Sequence, residues 1–235
     1  MKDYPKWDYQ EYPKTLPRQD FWGQVRRTQF GKPVSEAEIG AIVRAIREGL
    51  ALRADDVVLD LACGNGALSA RLFDACRGLL GVDLSAYLIE IAQESFARPP
   101  DFQFVCQDVL EYVFSEPAPE RFRKAMCYAG MQYLVPGDLV RLLAGLWDRF
   151  RGLEVIFLGN VPDREKAELF FAEGPFDESL LREPKSQIGV WWSRDELGDV
   201  AAVAGWGAEF SQMSEGVFNS RYRYDAVLTR RPRRS

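Results

Sequence analysis

The sequence predicts an α/β fold, in which a mostly parallel sheet of seven strands ends in one antiparallel strand and carries helices on both faces. Short apolar runs, such as residues 57–61, alternate with stretches of helical periodicity, which is the pattern of repeated βα units. Gly64 and Gly66 follow that run, where the chain must turn sharply from a strand into a helix. Two late apolar runs, about 208–213 and 222–229, have no helix between them, so the last strand can enter only as an antiparallel hairpin partner.

Residues 1–34 are unlike the rest of the chain, because aromatic residues and prolines are interleaved in them. The aromatic residues are Tyr4, Trp7, Tyr9, Tyr12, Phe21, Trp22 and Phe30. A solvated tail would be less hydrophobic, and the prolines exclude a long helix before Gln19. We therefore expect a strap or lid on the main domain, with a short helix over 21–28 that presents Trp22, Gln24 and Arg27 to a binding crevice.

Helix signals divide the main domain, residues 35–235, into alternating elements. Ser35-Glu36-Ala37-Glu38 and Ser193-Arg194-Asp195-Glu196 have the pattern of capping boxes. Further helices are expected from about Ala67 to Cys76, after Ser85, briefly after Asp108, and from Pro136. The strands expected before the two late ones are 57–61, 79–82, 102–107, 125–128 and 155–158. Residues 172–191 show no sustained period and are expected to form an insertion.

Acidic residues lie in or directly after three successive predicted strands. Asp60 is in the first strand, four residues before Gly64, and Asp83 follows Gly64 by nineteen residues. An acid at roughly that spacing can accept hydrogen bonds from both hydroxyls of a ribose. Asp108 comes after the third strand. Because helix amides after a glycine turn also attract anionic groups, the sequence predicts a nucleotide-type crevice.

The spacing of Asp60, Gly64 and Gly66 distinguishes between nucleotide-type folds. A dinucleotide-binding loop needs a third glycine, and Ser69 occupies that position. The segment resembles the first motif of class I S-adenosylmethionine-dependent methyltransferases, and the likeness covers roughly residues 55–229. It implies a Rossmann-like sheet, S-adenosyl-L-methionine as cofactor, and an adenine contact at Asp108. The expected cofactor-binding residues are Trp22, Arg27, Asp60, Ala62, Gly64, Gly66, Asp83, Leu84, Gln107, Asp108, Val109 and Tyr128.

Methyl transfer from a sulfonium is an in-line displacement, for which the enzyme must hold acceptor and methyl group collinear. An oxygen or ammonium acceptor must also lose a proton, and the chain contains no histidine to take it. Asp163 and Tyr133, which follow the fifth and fourth predicted strands, are the main candidate bases, and Asp177 and Glu178 are further carboxylates. Asn160 and Asp163 alone do not make a metal site, so no metal is expected.

Composition restricts the partners and the compartment. A net charge of −5 argues against a nucleic-acid surface, and the arginines at 230, 231, 233 and 234 are expected to form a solvated tail. The four cysteines have no C-x-x-C pairing and are expected to be reduced thiols. Because no apolar stretch reaches ~18 residues and no signal-peptide pattern opens the chain, we expect a cytoplasmic protein that does not bind membranes.

Together these features predict S-adenosylmethionine-dependent methyl transfer to a small molecule, at a hydroxyl oxygen of a sugar or natural-product metabolite. Two alternatives remain open. N-methylation of an amine depends less on a base, because a neutral amine can attack unaided. A cofactor-binding protein without transferase activity would have an intact cofactor site beside a sealed acceptor pocket. No pattern in the sequence indicates an oligomeric state.

Overall fold

The computed structural model describes residues 7–171, 177–186 and 188–231, without the side chains of Trp7 and Asp8. Some residues named above lie outside this description. They are Tyr4 in the predicted lid, residues 172–176 and 187 in the predicted insertion, and Arg233 and Arg234 in the predicted tail.

Within the described residues, a small hairpin of β1 (Thr28–Gln29) and β2 (Lys32–Pro33) precedes a seven-stranded sheet. The strands of the sheet are β3 (Val57–Leu61), β4 (Gly78–Asp83), β5 (Phe102–Cys106), β6 (Lys124–Tyr128), β7 (Val155–Pro162), β8 (Trp206–Gln212) and β9 (Arg223–Arg230). Their spatial order is β5-β4-β3-β6-β7-β9-β8, and β9 runs antiparallel to both of its neighbours. The predicted α/β class and the antiparallel last strand are therefore confirmed.

Helices cover the two faces of the sheet. They are α1 (Phe21–Gln24), α2 (Glu36–Gly49), α3 (Ala86–Ser95), α4 (Val109–Ser115), α5 (Pro136–Arg149) and α6 (Arg194–Val203). One hydrophobic core joins the sheet to α4, α5 and α6, and the other joins it to α2 and α3. In the first core the buried Trp206 indole donates to the backbone oxygen of Leu143 at 3.0 Å. None of the helices in the described part of the chain is long and apolar enough to cross a membrane.

The strand order fixes where a ligand can bind. The chain runs outward from β3 through β4 to β5 and then returns to place β6 on the other side of β3. At such a switch point the loops after neighbouring strands separate, which opens a crevice at the carboxyl ends of the strands. The loop after β3 is the glycine loop, so the fold places that loop at the switch point.

The two predicted capping boxes differ in the structure. At α6 the box is complete, because Ser193 and Glu196 bond each other's backbone amides. At α2, Ser35 accepts the Glu38 amide at 3.2 Å, but the Glu38 carboxylate accepts the amide of Phe218 at 2.7 Å instead of the Ser35 amide. A contact 180 residues away along the chain has replaced the local bond, which no local pattern predicts.

The prediction of a helix from Ala67 to Cys76 is wrong. Only one short 3₁₀ turn, Ser69–Leu72, forms there. The Ser69 hydroxyl donates to Asp60 at 2.5 Å and holds the turn against β3. The next strand, β4, begins at Gly78, and there the amides of Arg77 and Gly78 donate to the backbone oxygen of Asp56. This pairing leaves little chain for a helix before the strand.

Candidate active site

A cavity of about 640 Å³ opens at the carboxyl ends of β3, β4 and β6, below the N-terminal strap. Its volume is in the range of small-molecule sites. Of the predicted site residues, those that line it are Arg27, Asp60, Ala62, Gly64, Asp83, Leu84, Asp108, Val109, Tyr128 and Tyr133. The predicted residues that do not line it are Trp22, Gly66, Gln107 and Asp163.

The loop after β3 brings bare backbone to the cavity. Ala62, Gly64 and Gly66 all have left-handed backbone, with φ of 61°, 59° and 73°. A methyl group on Gly66 would lie 2.7 Å from the ring of Phe104, so this glycine serves the packing of the loop on the sheet. Gly64 lines the cavity itself, and its missing side chain leaves the backbone open to a ligand.

Asp83, at the end of β4, is bonded to the same loop. One carboxylate oxygen accepts the Gly64 amide at 2.8 Å and the other accepts the Ser85 amide at 2.8 Å. Burial raises the pKa of Asp83, and these two amide bonds oppose the rise. Each carboxylate oxygen keeps a further lone pair for a ligand donor.

Asp60 also lines the cavity and is nearly fully buried. Burial raises its pKa to about 7, and the negative charge of Asp83 adds to the rise. The Ser69 hydroxyl bond and the guanidinium of Arg27 lower it. The site therefore holds a carboxyl group whose charge depends on pH near neutrality, and a ligand cation would favour its charged form.

Asp108 and Gln107 follow β5 and take different positions. Asp108 caps α4, since one of its carboxylate oxygens accepts the amides of Leu110 at 2.8 Å and Glu111 at 3.0 Å. It lines the cavity at the same time. The Gln107 side chain donates to the Ser115 hydroxyl at 3.0 Å and does not line the cavity.

The strap is fastened to the glycine loop by Asn65, which sequence reasoning passed over. Its side-chain amide donates to the oxygens of Phe21 and Gln24, each at 2.8 Å. Gln24 is fully buried and donates in turn to backbone oxygens of the strap, so it is an anchor and does not face the crevice. The position of Asn65, a polar residue between Gly64 and Gly66, is the feature of the sequence that could have indicated this anchoring role.

Arg27 is the charged group that the strap brings to the cavity. Its guanidinium carbon lies 5.0 Å from the ring centroid of Tyr128 and 5.6 Å from that of Trp22. Burial lowers the pKa of Arg27. Among the described residues, no carboxylate lies within ion-pair distance of it. Trp22 thus packs behind Arg27, and the guanidinium is available to an anionic or hydroxylated ligand.

Tyr9 and Tyr133 both line the cavity and contact each other. Their hydroxyls are 2.9 Å apart and their ring centroids 5.4 Å apart. The backbone oxygen of Tyr9 also accepts the Ser85 hydroxyl at 2.6 Å, which ties the strap to the start of α3. Tyr133 therefore faces the cavity, and the strap forms part of the cavity wall.

Asp163, the base that the sequence analysis favours, does not line the cavity. It is fully buried outside the cavity, where one oxygen lies 3.2 Å from the guanidinium of Arg194 and the other accepts the Glu165 amide at 3.2 Å. Arg194 and the Glu165 amide thus hold this carboxylate away from the cavity. Asp177 and Glu178 are exposed and also lie outside the cavity.

The chain resembles known methyltransferases in sequence. Residues 58–151 match the family model described as a methyltransferase domain. The ribosomal RNA small subunit methyltransferase A of a Synechococcus strain is 32% identical over 130 residues, which cover 55% of this chain and 46% of that protein. The protein of the same name from Saccharophagus degradans is 32% identical over 100 residues, 42% of this chain and 37% of that protein. These matches thus span less than half of the relatives' length.

Solved structures share the fold over most of the chain. An S-adenosylmethionine-dependent methyltransferase from Clostridium acetobutylicum superposes with a TM-score of 0.60 at 14% identity, covering 83% of this chain and 91% of that one. Magnesium protoporphyrin IX methyltransferase from Synechocystis, solved with bound SAH, gives a TM-score of 0.55 at 17% identity, covering 82% and 81%. Residues 58–151 thus match a methyltransferase domain in sequence, and the chain shares its fold with solved S-adenosylmethionine-dependent methyltransferases.

Proposed function

We propose that this protein transfers the methyl group of S-adenosylmethionine to a hydroxyl oxygen of a small molecule. The observation that carries the proposal is the cavity at the switch point, where Asp83 accepts the backbone amide of Gly64 and the strap supplies part of the wall. The cofactor supplies a methyl group on a sulfonium, which is already activated for displacement. The protein must therefore bind, orient and shield the reactants.

The residues present fit this cofactor. The lone pairs of Asp83 suit two ribose hydroxyls, and the left-handed backbone at Gly64 leaves no side chain in their way. Asp60 offers negative charge near a sulfonium or an ammonium group, and Arg27 offers positive charge to a carboxylate. Ala62, Leu84, Asp108, Val109 and Tyr128 supply the remaining wall, and we assign all of these residues to cofactor binding.

Three predicted cofactor residues receive indirect roles in this proposal, because they do not line the cavity. Gly66 allows the loop to pack against Phe104. Trp22 supports the guanidinium of Arg27. The Gln107 side chain donates a hydrogen bond to Ser115 at the end of α4, and Asp108 caps the first turn of the same helix.

The size of the cavity favours a small acceptor. The strap and the Tyr9–Tyr133 contact form part of the cavity wall, and a cavity of about 640 Å³ suits an acceptor of small-molecule size. Tyr133 lines the cavity, and we assign it to acceptor contact. Transfer to nitrogen is the alternative within the same class.

RNA methylation is a second candidate, favoured by the names of the curated relatives. RNA binding draws most of its affinity from phosphate contacts with Lys and Arg. This chain has 30 basic and 35 acidic residues, a net charge of −5, which supports the small-molecule proposal instead.

The test is cofactor consumption. Purified protein is given S-adenosylmethionine, and formation of the demethylated product is followed with and without a polar metabolite extract treated with ribonuclease. We expect product only when the extract is present. Binding of S-adenosylmethionine without any acceptor-dependent product would instead indicate a non-catalytic binding protein. Absence of cofactor binding would refute the assignment of the site.

A further inference from the structure

One lysine of the cavity wall, Lys185, comes from the segment before α6 and has no role in the proposed function. It belongs to a loop whose described residues are 181–186 and 188–191. The amide of Trp191 donates to the backbone oxygen of Leu181 at 2.8 Å, which joins the two ends of the loop. Both of these side chains are buried in one hydrophobic cluster. The loop therefore has a fixed base, from which Lys185 reaches the cavity.

The loop is held against the residues that follow β6. The Val190 amide donates to the backbone oxygen of Gln132 at 2.8 Å, and Gly189, with φ of 83°, packs so closely on the same oxygen that a side chain there would collide with it. The next residue, Tyr133, meets Tyr9 of the strap through its hydroxyl. The loop, the residues after β6 and the strap thus come together at one end of the cavity.

This end of the cavity differs in charge from the end that we assign to the ribose. Asp83 and Asp108 follow β4 and β5, which lie on one side of β3, whereas β6 lies on the other side. The charged residues of the described chain that line the cavity are Arg27, Asp60, Asp83, Asp108 and Lys185. The first four are assigned to the cofactor. Lys185 is therefore the charge that remains for the acceptor.

The ammonium of Lys185 is available to a ligand. No carboxylate oxygen of the described residues lies within 4 Å of it, whereas Lys14, Lys124 and Lys166 each have such a partner. The neighbouring Glu183 carboxylate accepts the backbone amide of Lys185 at 2.9 Å. A cation on a cavity wall attracts negative charge, and a single lysine balances a single negative charge. A carboxylate has that charge, while a phosphate monoester such as phosphoserine carries about −1.5 to −2 at pH 7.

Neutral hydrogen-bond donors lie at the same end of the cavity. Gln10 follows Tyr9 in the strap and lines the cavity, and its side-chain amide can donate two hydrogen bonds. We infer that the methyl acceptor is a small hydroxylated carboxylic acid, whose carboxylate pairs with Lys185 and accepts from Gln10. This inference rests on the proposed function. It makes Lys185 a residue that determines which acceptors bind, without a part in the transfer of the methyl group itself.

The first experiment determines the charge of the product. Full-length protein is incubated with S-adenosylmethionine labelled in its methyl group and the ribonuclease-treated metabolite extract, and the products are passed over an anion exchanger at pH 7. We expect the label to be retained, to stay retained after phosphatase treatment, and to be released once carboxyl groups are amidated. Label in the neutral or cationic fraction, or retention lost after phosphatase treatment, would overturn the inference and leave the proposed methyl transfer standing. Absence of any labelled product would refute both.

The second experiment uses the acidic fraction of the extract as the acceptor. Because the Lys185 side chain is exposed, its loss should have a moderate effect: in Lys185→Gln the amount of this fraction that gives half-maximal rate should rise about fivefold. The maximal rate and the affinity for S-adenosylmethionine should not change, and Lys185→Arg, which keeps the charge, should behave as the wild type does. Lys32→Gln is the matched control, since Lys32 is also exposed, has no carboxylate within 4 Å among the described residues and does not line the cavity. Half-maximal amounts that are equal in Lys185→Gln and Lys32→Gln, or a loss in Lys185→Gln confined to the maximal rate, would overturn the role of Lys185.

Discussion

Replacing Asp83 with alanine is the sharpest test of the cofactor assignment. In the structure this carboxylate accepts the amides of Gly64 and Ser85, each at 2.8 Å, and its remaining lone pairs face the cavity. The substitution would remove a charged acceptor from two ribose hydroxyls. Hydrogen bonds to charged groups contribute about 1.5–3 kcal/mol, and 1.4 kcal/mol corresponds to a tenfold change in affinity. Asp83→Ala should therefore weaken S-adenosylmethionine binding roughly ten- to a hundredfold.

Titration calorimetry with S-adenosylmethionine measures this change directly. Asp101→Ala is the matched control, because Asp101 is exposed just before β5, at the opposite end of the strands from the cavity. The control should bind as the wild type does. Circular dichroism and thermal unfolding verify that Asp83→Ala keeps its fold despite the two unpaired amides. A folded Asp83→Ala variant with wild-type affinity would refute the placement of the ribose at β4.

Three further predictions concern the strap, the glycine loop and the effect of pH. Asn65→Ala removes the two bonds that join the strap to the glycine loop, so limited proteolysis within residues 7–30 should become about tenfold faster or more. Arg18→Ala, which removes exposed ion pairs with Glu90 and Glu94 and a ring contact with Tyr87, should change it little. Equal proteolysis rates in the two variants would contradict the anchoring role. Gly66→Ala should lower the unfolding free energy by about 1–3 kcal/mol in urea titrations, because its φ is 73° and the new methyl group meets the Phe104 ring; an unchanged midpoint would count against this packing. The pKa of Asp60 is raised from 3.8 to about 7, so the folded state binds the proton more tightly, and wild-type stability should fall as pH rises between these values. Urea unfolding at pH 5 and pH 8 should show a smaller difference for Asp60→Asn, and an equal difference would contradict the shifted pKa.

The sequence was most informative where function depends on position along the chain. Asp60, Asp83 and Asp108 could be placed at one edge of the sheet, because carboxyl ends of parallel strands share an edge whatever the packing. The antiparallel last strand followed from connection length alone. These features need only the order of the elements.

Long-range contacts account for what the sequence did not indicate. Asp163 looked like a base after β7, but Arg194 from a later helix pairs with it outside the cavity. Gln24 was expected to face the crevice, yet its contact with Asn65 buries it.

The most direct test of the central claim is a competition between acceptor classes in one reaction. Wild-type protein is incubated with methyl-labelled S-adenosylmethionine, the polar metabolite extract and purified small ribosomal subunits together. After precipitation of the macromolecules, the label is counted in the RNA and in the soluble fraction. The account predicts that the label accumulates in soluble, ribonuclease-resistant small molecules and depends on the presence of the extract. Label incorporated into the ribosomal RNA, with none in the soluble products, would contradict it.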